Sequence, residues 1–246
     1  MMHAIEYGKQ NHDVVMLLHG GGLSWWSYRH AAELLQTTYH VVLPILDGHG
    51  ENVRDFISIE QQARELLAYI DDHFQGKVFL LGGLSLGAQV AAEMLAQRGN
   101  VCSYAVLESA LIEPMPITRC MVKPMLDCSY GLIQKRWFSK LQFWYLHIDP
   151  DLFEEYYADT CRISKENMIR FLQANASYAV KETLCSVQAK VYIFVGKKEQ
   201  RRMIRSAKKL HSMIPNSVFA CKENMRHGDF SINHPQEYTR LLMNLK

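Results

Sequence analysis

Short apolar runs recur along the chain, and each is bounded by polar or turn-forming residues. Their side chains are apolar on both faces and rich in Val, Ile and Leu, as expected for strands buried in a parallel sheet. Five runs have this character: residues 14–19, 40–46, 78–82, 104–108 and 191–196. The pattern therefore predicts a sheet that is covered on both of its faces.

Helical patterns lie between these runs. Residues 58–74 repeat apolar side chains at helical spacing, and Ser58 with Gln61 forms a capping-box signal at the start. Residues 86–98 and 201–214 are also predicted to be helical. Strands that alternate with helices predict an α/β fold, with a mostly parallel central sheet and helices on both faces.

The alternation stops over residues 113–178, where no strand pattern appears. Four prolines are expected to break this stretch into short pieces: Pro114, Pro116, Pro124 and Pro150. Its 66 residues hold 11 of the chain's 26 aromatic side chains, a clear enrichment. We interpret it as a helical cap inserted into a core formed by residues 1–112 and 179–246, because ligands of open α/β sheets bind at the strand ends. A helical insertion that only packs on the core is the alternative.

The composition is that of an ordinary globular protein, with 48% hydrophobic and 21% charged residues among 246. A net charge of +2 favours neither nucleic acid nor an acidic membrane surface as the main partner. Basic residues between 197 and 209 alternate with an apolar helix face, which is typical of a solvated surface. The longest nearly uncharged run, 78–97, contains glycines and polar residues and is better interpreted as a buried strand and helix than as a membrane span.

The cysteines are scattered and form no CxxC pair, which argues against a zinc or redox motif. The six are Cys102, Cys120, Cys128, Cys161, Cys185 and Cys221. Free thiols fit a reducing compartment, and the first ten residues show no signal-peptide pattern, so a cytoplasmic location is expected. No metal or cofactor is expected.

One serine stands between two glycines where the third strand turns into a helix, in Gly83-Leu84-Ser85-Leu86-Gly87. A GxSxG sequence between a strand and a helix is typical of a nucleophile elbow, in which small neighbours let the serine project from a strained turn. The Leu86 amide would then lie at a helix N-terminus, where it can donate to an oxyanion. The alternative is that Ser85 is a plain helix N-cap.

A glycine-rich loop, HGGGLSWW, follows the first long strand at residues 19–26. Consecutive glycines let backbone amides face a ligand, so Gly21 is the candidate for a second oxyanion donor. His19 is expected to be a structural loop residue rather than a catalyst.

Taken together, these motifs resemble the α/β-hydrolase superfamily, and more closely its capped, esterase-like bacterial branch. The resemblance extends over nearly the whole chain and rests on five segments: HGGG, PILDGHG at 44–50, GLSLG, VGKKE at 195–199 and RHGD at 226–229. In the second of them, Ile45 stands where many relatives have an acidic residue. Asp47 and His49 are therefore interpreted as residues that structure this loop.

The family order of nucleophile, acid and histidine implies the rest of a triad. His227 is the candidate base, because it is followed by glycine in a loop beyond the last strand. Two other histidines fit less well, since His211 falls in a helical pattern and His234 precedes a proline.

The acid is expected to be Glu199, three residues after the glycine that ends a strand, where relatives carry an aspartate. Glu108, at the end of the preceding strand, is the alternative, because some members of the family carry the acid there. An exposed position in the charged run 197–202 would leave Glu199 without this role.

The resemblance implies a carboxylesterase-like serine hydrolase that cleaves an ester or thioester of a small to medium apolar substrate through an acyl-enzyme. Four aromatic residues are expected to bind the substrate: Trp25, Trp137, Phe143 and Trp144. The same triad could instead serve carbon–carbon hydrolysis or a pyruvate-eliminating lyase of the menaquinone-pathway type, which would present an arginine cluster. A non-catalytic ligand-binding member of the fold is a further alternative. The chain is expected to be a monomer or a homodimer.

Overall fold

Seven strands form one sheet in the computed structural model, which describes residues 2–245. The strands are β1 Ala4–Tyr7, β2 Val14–Leu18, β3 His40–Pro44, β4 Val78–Leu84, β5 Cys102–Glu108, β6 Lys190–Gly196 and β7 Ser217–Lys222. Their order across the sheet is β1-β3-β2-β4-β5-β6-β7, with β1 antiparallel to β3 and the other pairs parallel. The predicted α/β fold class is confirmed.

Helices cover both faces of this sheet and pack on two apolar clusters, one on each face. Those of the core are α1 Arg29–Leu35, α2 Ile59–Phe74, α3 Leu86–Gln97, α8 Arg201–Met213, α9 Asp229–Ile232 and α10 Pro235–Met243. At the start of α2, Ser58 Oγ accepts a hydrogen bond from the Gln61 amide at 3.1 Å, as the capping signal predicts. The predicted helices at 58–74 and 201–214 are therefore confirmed to within a residue.

The two strands that the apolar pattern did not predict are β1 and β7, at the two edges of the sheet. Every residue of β1 is half-buried, and every residue of β7 is half-buried or exposed. An edge strand has a neighbour on one side only, so it lacks the continuous apolar run that marks the central strands.

Four helices form the segment between β5 and β6: α4 Pro116–Ile133, α5 Arg136–Leu146, α6 Phe153–Arg162 and α7 Lys165–Ser177. The expectation of short pieces broken by prolines is wrong for α4, which runs for 18 residues through Pro124. Pro124 and Cys120 are both exposed, so water can solvate the Cys120 carbonyl that loses its helical partner.

Buried polar contacts join this helical segment to the core. Gln89 of α3 is fully buried, and its side-chain nitrogen Nε2 donates to the backbone carbonyls of Leu111 and Asn175. Asn175 Nδ2 in turn donates to Gln89 Oε1 at 2.9 Å. The last helix of the segment is thereby fixed to the helix that follows Ser85.

Candidate active site

Ser85 forms the sharp turn between β4 and α3. Its φ of 54° and ψ of −113° lie where residues other than glycine are strained. A Cβ at Gly83 would lie 2.4 Å from the Gly87 carbonyl oxygen, and one at Gly87 would lie 2.1 Å from the Leu18 carbonyl oxygen. The two glycines therefore allow strand and helix to approach closely enough to form this turn.

Both backbone polar groups of Ser85 are hydrogen-bonded, whereas its side chain does not cap the helix. Its amide donates to the Glu108 carbonyl at 2.9 Å, and its carbonyl accepts from the Gln89 amide at 3.0 Å. The serine hydroxyl makes no capping hydrogen bond within residues 2–245, unlike that of Ser58. The geometry is therefore that of a nucleophile elbow rather than of a side-chain N-cap.

His227 lies beyond β7 and is paired with Glu199, which follows β6. His227 Nδ1 donates to Glu199 Oε2 at 2.8 Å. The Glu199 side chain is only 1% exposed, whereas that of His227 is 44% exposed. With Nδ1 occupied by the carboxylate, Nε2 is the ring nitrogen that is free to accept a proton.

Two further hydrogen bonds fix the Glu199 carboxylate. Its Oε1 accepts from the Ser109 hydroxyl and from the Gly196 amide, each at 2.7 Å. These donors come from the ends of β5 and β6. The carboxylate is thus oriented by neighbouring strand ends before it meets the imidazole.

Glu108, the alternative candidate for the triad acid, contacts α9 instead of the imidazole. It is 2% exposed, and its oxygens accept from the Phe230 amide at 3.2 Å and from the Ser231 amide at 3.2 and 3.4 Å. Burial raises the pKa of Glu108 to about 7, although these hydrogen bonds oppose the shift. Glu108 therefore anchors α9, the short helix that follows His227, while Glu199 contacts the imidazole.

Ser85 and His227 line one small cavity of about 80 Å³ together with Gly20, Gly21 and Gly228. Within the described part of the chain no hydrogen bond joins Ser85 to His227. Pairs of this kind commonly tighten only when substrate is bound.

Gly21 lines this cavity, and Leu86 lies beside Gly21. A Cβ at Gly21 would be 3.5 Å from Leu86 Cδ2 and 3.3 Å from the Phe171 ring. Leu86 is the first residue of α3, so its amide has no partner within the helix. Both predicted oxyanion donors are therefore brought next to the serine.

The two buried histidines near the glycine loop are structural. His19 Nδ1 donates to the Gly20 carbonyl at 2.9 Å, and its Nε2 accepts from the Leu46 amide at 3.1 Å. Burial and the nearby His49 lower the pKa of His19 to about 3, and burial lowers that of His49 to about 4. Asp47 accepts from Asn52 Nδ2 at 2.9 Å. These neutral rings and the Asp47 contacts fit the loop-structuring roles predicted from the sequence.

The four aromatic residues predicted to bind substrate are not brought to the Ser85 cavity. Trp137 and Trp144 are 64% and 70% exposed, and Phe143 is buried among neighbouring aromatic rings of the helical segment. Trp25 lines a separate cavity of about 150 Å³.

Aliphatic side chains take the place expected for the aromatic ones. The apolar lining consists of Leu23, Leu84, Leu146, Ile148 and Ile232. Leu146 and Ile148 flank His147, which ends α5 in a left-handed conformation. Asn233 Nδ2 donates to the His147 carbonyl at 2.7 Å, which ties this wall of the cavity to the end of α9. In the sequence, the only signal of this wall is a pair of aliphatic residues around a helix end.

No group of three or more His, Cys, Asp or Glu side chains in residues 2–245 lies together in a way that could hold a metal ion. Of the helices in this part of the chain, none has the length and apolar character needed to cross a bilayer.

A serine at the turn after the central strand, with a carboxylate and a histidine at later strand ends, is the layout of an α/β hydrolase. The chain belongs to the alpha/beta hydrolase family, whose sequence model matches residues 15–240. Family membership supports a hydrolase activity.

The comparisons with individual proteins agree with this fold. The chain is 25% identical over 229 residues to an uncharacterized hydrolase, YugF, of Bacillus subtilis strain 168, covering 87% of this chain and 82% of YugF. A thermophilic esterase from Thermogutta terrifontis superposes with a TM-score of 0.78 at 17% identity, over 98% of this chain and 91% of the esterase. MenH from S. aureus gives a TM-score of 0.77 at 18% identity, over 98% and 96% of the two chains. At these identities the two structures show a common fold.

Proposed function

We propose that the protein is a serine hydrolase that cleaves a carboxylic ester or thioester of a small to medium apolar substrate. The observation that carries the proposal is the pairing of His227 with the buried Glu199 at a cavity that His227 shares with Ser85. A serine hydroxyl is a weak nucleophile until a neighbouring base removes its proton, and the base needs an orienting acid. All three groups are present here.

In the first half of the reaction Ser85 Oγ attacks the carbonyl carbon while His227 Nε2 takes the hydroxyl proton. Glu199 holds the imidazole in the required tautomer and stabilises the imidazolium. The amides of Gly21 and Leu86 donate to the oxyanion of the tetrahedral intermediate, an effect worth about 3 kcal/mol per donor. His227 then protonates the leaving alcohol or thiol as the acyl-enzyme forms.

In the second half a water molecule attacks the acyl-enzyme. His227 removes a proton from this water and returns one to Ser85 Oγ, which releases the carboxylic acid. Every proton taken up by His227 is returned to a leaving group or to Ser85. The reaction needs only a nucleophile, a base and oxyanion donors, so it requires no metal ion or redox cofactor.

The apolar character of the proposed substrate is supported by the aliphatic lining of the cavity. In the free protein this cavity measures about 80 Å³, which is small for a ligand pocket. We therefore favour a substrate with a short acyl group.

We further propose that residues 113–178 act as a cap on a core formed by residues 1–112 and 179–246. Two residues of this segment, Leu146 and Ile148, support the proposal because they line the serine cavity. The remaining lining comes from the core.

The lyase alternative is less well supported by the charges of the helical segment. Arg162 pairs with Asp159, Arg170 with Asp55 and Arg136 with Glu154. Arg119 borders a separate open cavity beside α2. A polyanionic substrate at Ser85 would find no arginine among the residues that line the cavity in the described structure.

The test is covalent labelling by a fluorophosphonate probe combined with turnover of p-nitrophenyl esters of increasing acyl length. We expect wild type and Ser212→Ala, an exposed serine of α8, to label and turn over, with short acyl chains preferred. Ser85→Ala should do neither, with kcat lower by about 10⁴-fold or more. Turnover that survives in Ser85→Ala would overturn the proposal, and a wild type that neither labels nor turns over would favour a non-catalytic binding protein.

A further inference from the structure

Exposed apolar side chains concentrate on α4 and α5. In α4 they are Ile117, Met121, Met125 and Leu132, which are between 43% and 80% exposed. Their spacing of about four residues places them along one face of the helix. The buried side chains of α4, which include Val122 and Leu126, lie on another face. We call the exposed row the apolar face of α4.

The second helix carries larger side chains. Trp137, Leu141, Trp144 and Tyr145 of α5 are between 55% and 76% exposed. The first three repeat at helical spacing, on the side away from the buried Ser139 and Phe143. This row is the apolar face of α5, and two residues separate α5 from the end of α4.

Positive charge accompanies these faces. Residues 116–146 contain five lysines or arginines and one carboxylate, Asp127, which gives them a net charge of +4, although the whole chain carries only +2. Lys123 pairs with Asp127, and Arg136 pairs with Glu154 of α6. Glu154 neutralises Arg136 from outside the segment, so residues 116–146 keep an excess of three positive charges.

Three of these cations have no ion-pair partner in the described part of the chain: Arg119, Lys135 and Lys140. Arg119 borders the open cavity beside α2, on the side of α4 away from its exposed row. Lys135 and Lys140 are therefore the cations that accompany the apolar faces. Cations beside an exposed apolar face can keep their charges in water while their stems cover apolar surface. They remain available to an anionic partner.

The charge distribution argues against a second copy of this chain as the partner. Two copies meeting through these faces would bring the unpaired Lys135 and Lys140 of each copy together, which is repulsive. An anionic surface is instead attracted by the cations. Trp and Tyr side chains prefer the boundary between water and lipid, where their rings are apolar and their polar atoms stay wet.

A groove lined by Trp144, which belongs to the apolar face of α5, adjoins the cavity at Ser85. Leu146, the last residue of α5, is 41% exposed and lines the cavity at Ser85. Beside it, an open groove of about 490 Å³ is lined by Phe143, Trp144 and Phe153, and it shares Ile148 with that cavity. An apolar compound held in a lipid layer against α5 would therefore lie next to the cavity wall.

We propose that the apolar faces of α4 and α5 dock the protein peripherally on an anionic lipid surface. The aromatic and aliphatic side chains enter the interface, and the neighbouring cations contact the lipid headgroups. This binding goes beyond the proposed hydrolysis and needs no reaction at Ser85.

The test uses co-sedimentation of the full chain with vesicles of phosphatidylcholine alone or mixed with phosphatidylglycerol. At low salt the protein is expected to sediment with the mixed vesicles, and high salt should release it. Trp137 and Trp144 should shift the tryptophan emission to shorter wavelength on binding, because Trp26 is buried already. Ser85→Ala is expected to bind like wild type.

Paired variants separate the contributions. Trp137→Ser combined with Trp144→Ser should weaken binding by roughly tenfold or more, because two exposed rings no longer enter the interface. Lys140→Gln should weaken it by about fivefold, as expected for one lost cation near an anionic surface. Leu34→Ser in α1 is the matched control, since Leu34 is 40% exposed outside this region, and it should bind normally.

Three outcomes would overturn the proposal. The first is no binding to the anionic vesicles at low salt. The second is binding that the tryptophan and lysine variants leave unchanged. The third is a dimer in analytical ultracentrifugation that the tryptophan variant dissociates, which would assign the faces to a second copy.

Discussion

The carboxyl end of the sheet and the helical segment 113–178 treat their side chains in opposite ways. At the sheet end, Glu199 and Glu108 are buried and every one of their carboxylate oxygens accepts hydrogen bonds. In the helical segment, Trp137 and Trp144 leave most of their surface exposed. The first region fixes geometry, and the second presents surface. The proposed catalysis and the proposed surface contact thus fall to different parts of one chain.

The sharpest test of the sheet end replaces each of its two buried carboxylates separately with an amide. Glu199→Gln should lower kcat by about 10⁴-fold, because an amide no longer holds the required tautomer of His227. Glu108→Gln should retain far more activity, since Glu108 contacts α9 rather than the imidazole. Steady-state kinetics on both variants decides, and loss of turnover in Glu108→Gln alone would make Glu108 the triad acid.

A matched pair of glycine substitutions compares the packing of the two regions. Gly87→Ala should destabilise the protein by about 3 kcal/mol or more, because its Cβ would lie 2.1 Å from the Leu18 carbonyl oxygen. Gly131→Ala in α4 meets nothing within 4 Å and should stabilise by about 0.5–1 kcal/mol through helix propensity. Urea unfolding measures both, and equal effects would refute the contrast.

Glu108 should also make stability depend on pH in an unusual direction. Its pKa is about 7 in the folded protein and is ordinary when unfolded, so the folded state holds the proton more tightly. The stability this provides is full below the unfolded pKa and is lost as pH rises through about 7.

The measurement is the unfolding free energy of wild type and Glu108→Gln at about pH 5 and about pH 8. Wild type should lose roughly 2–3 kcal/mol relative to the variant over this interval. A difference that stays constant with pH would show that Glu108 keeps an ordinary pKa.

The smallest effect on stability is expected at the hydrogen bond between Asn175 of the helical segment and Gln89 of the core. Asn175→Ala removes the donor to the buried Gln89 Oε1 and should cost about 1–2 kcal/mol in the unfolding free energy. Asn216→Ala serves as the control, because Asn216 is an exposed residue of the turn before β7. A loss no larger than in this control would show that the buried amide pair contributes little.

The same contrast explains what sequence reasoning could find. The central strands need continuous apolar runs, and the serine turn needs glycines where strand and helix approach closely. Both requirements are met by residues adjacent in the sequence, so both could be predicted from it. The pairing of Glu199 with His227 could be predicted because both residues follow strand ends in the order that the family resemblance implies. The edge strands β1 and β7 lack that apolar pattern and were missed.

The lining of the cavity was hidden for a different reason. Leu146 and Ile148 resemble any other aliphatic residues in the sequence, and only the turn at His147 directs them to Ser85. Among the aromatic residues predicted to bind substrate, Phe143 packs on Phe153 and Tyr156, and Trp137 and Trp144 are mostly exposed. Side-chain direction in a helical segment depends on how the helices pack, which composition does not specify.

The hydrogen bond from Asn233 to the His147 carbonyl has a consequence for how specificity can change. It connects the cavity wall at 146–148 to the strip of chain that begins with His227, and Glu108 anchors the middle of that strip. A larger pocket made by moving this wall outward would displace His227, the proposed base. Variants that accept bulkier substrates should therefore carry smaller side chains at Leu23 or Ile232. Such substitutions enlarge the cavity and leave His227 in place.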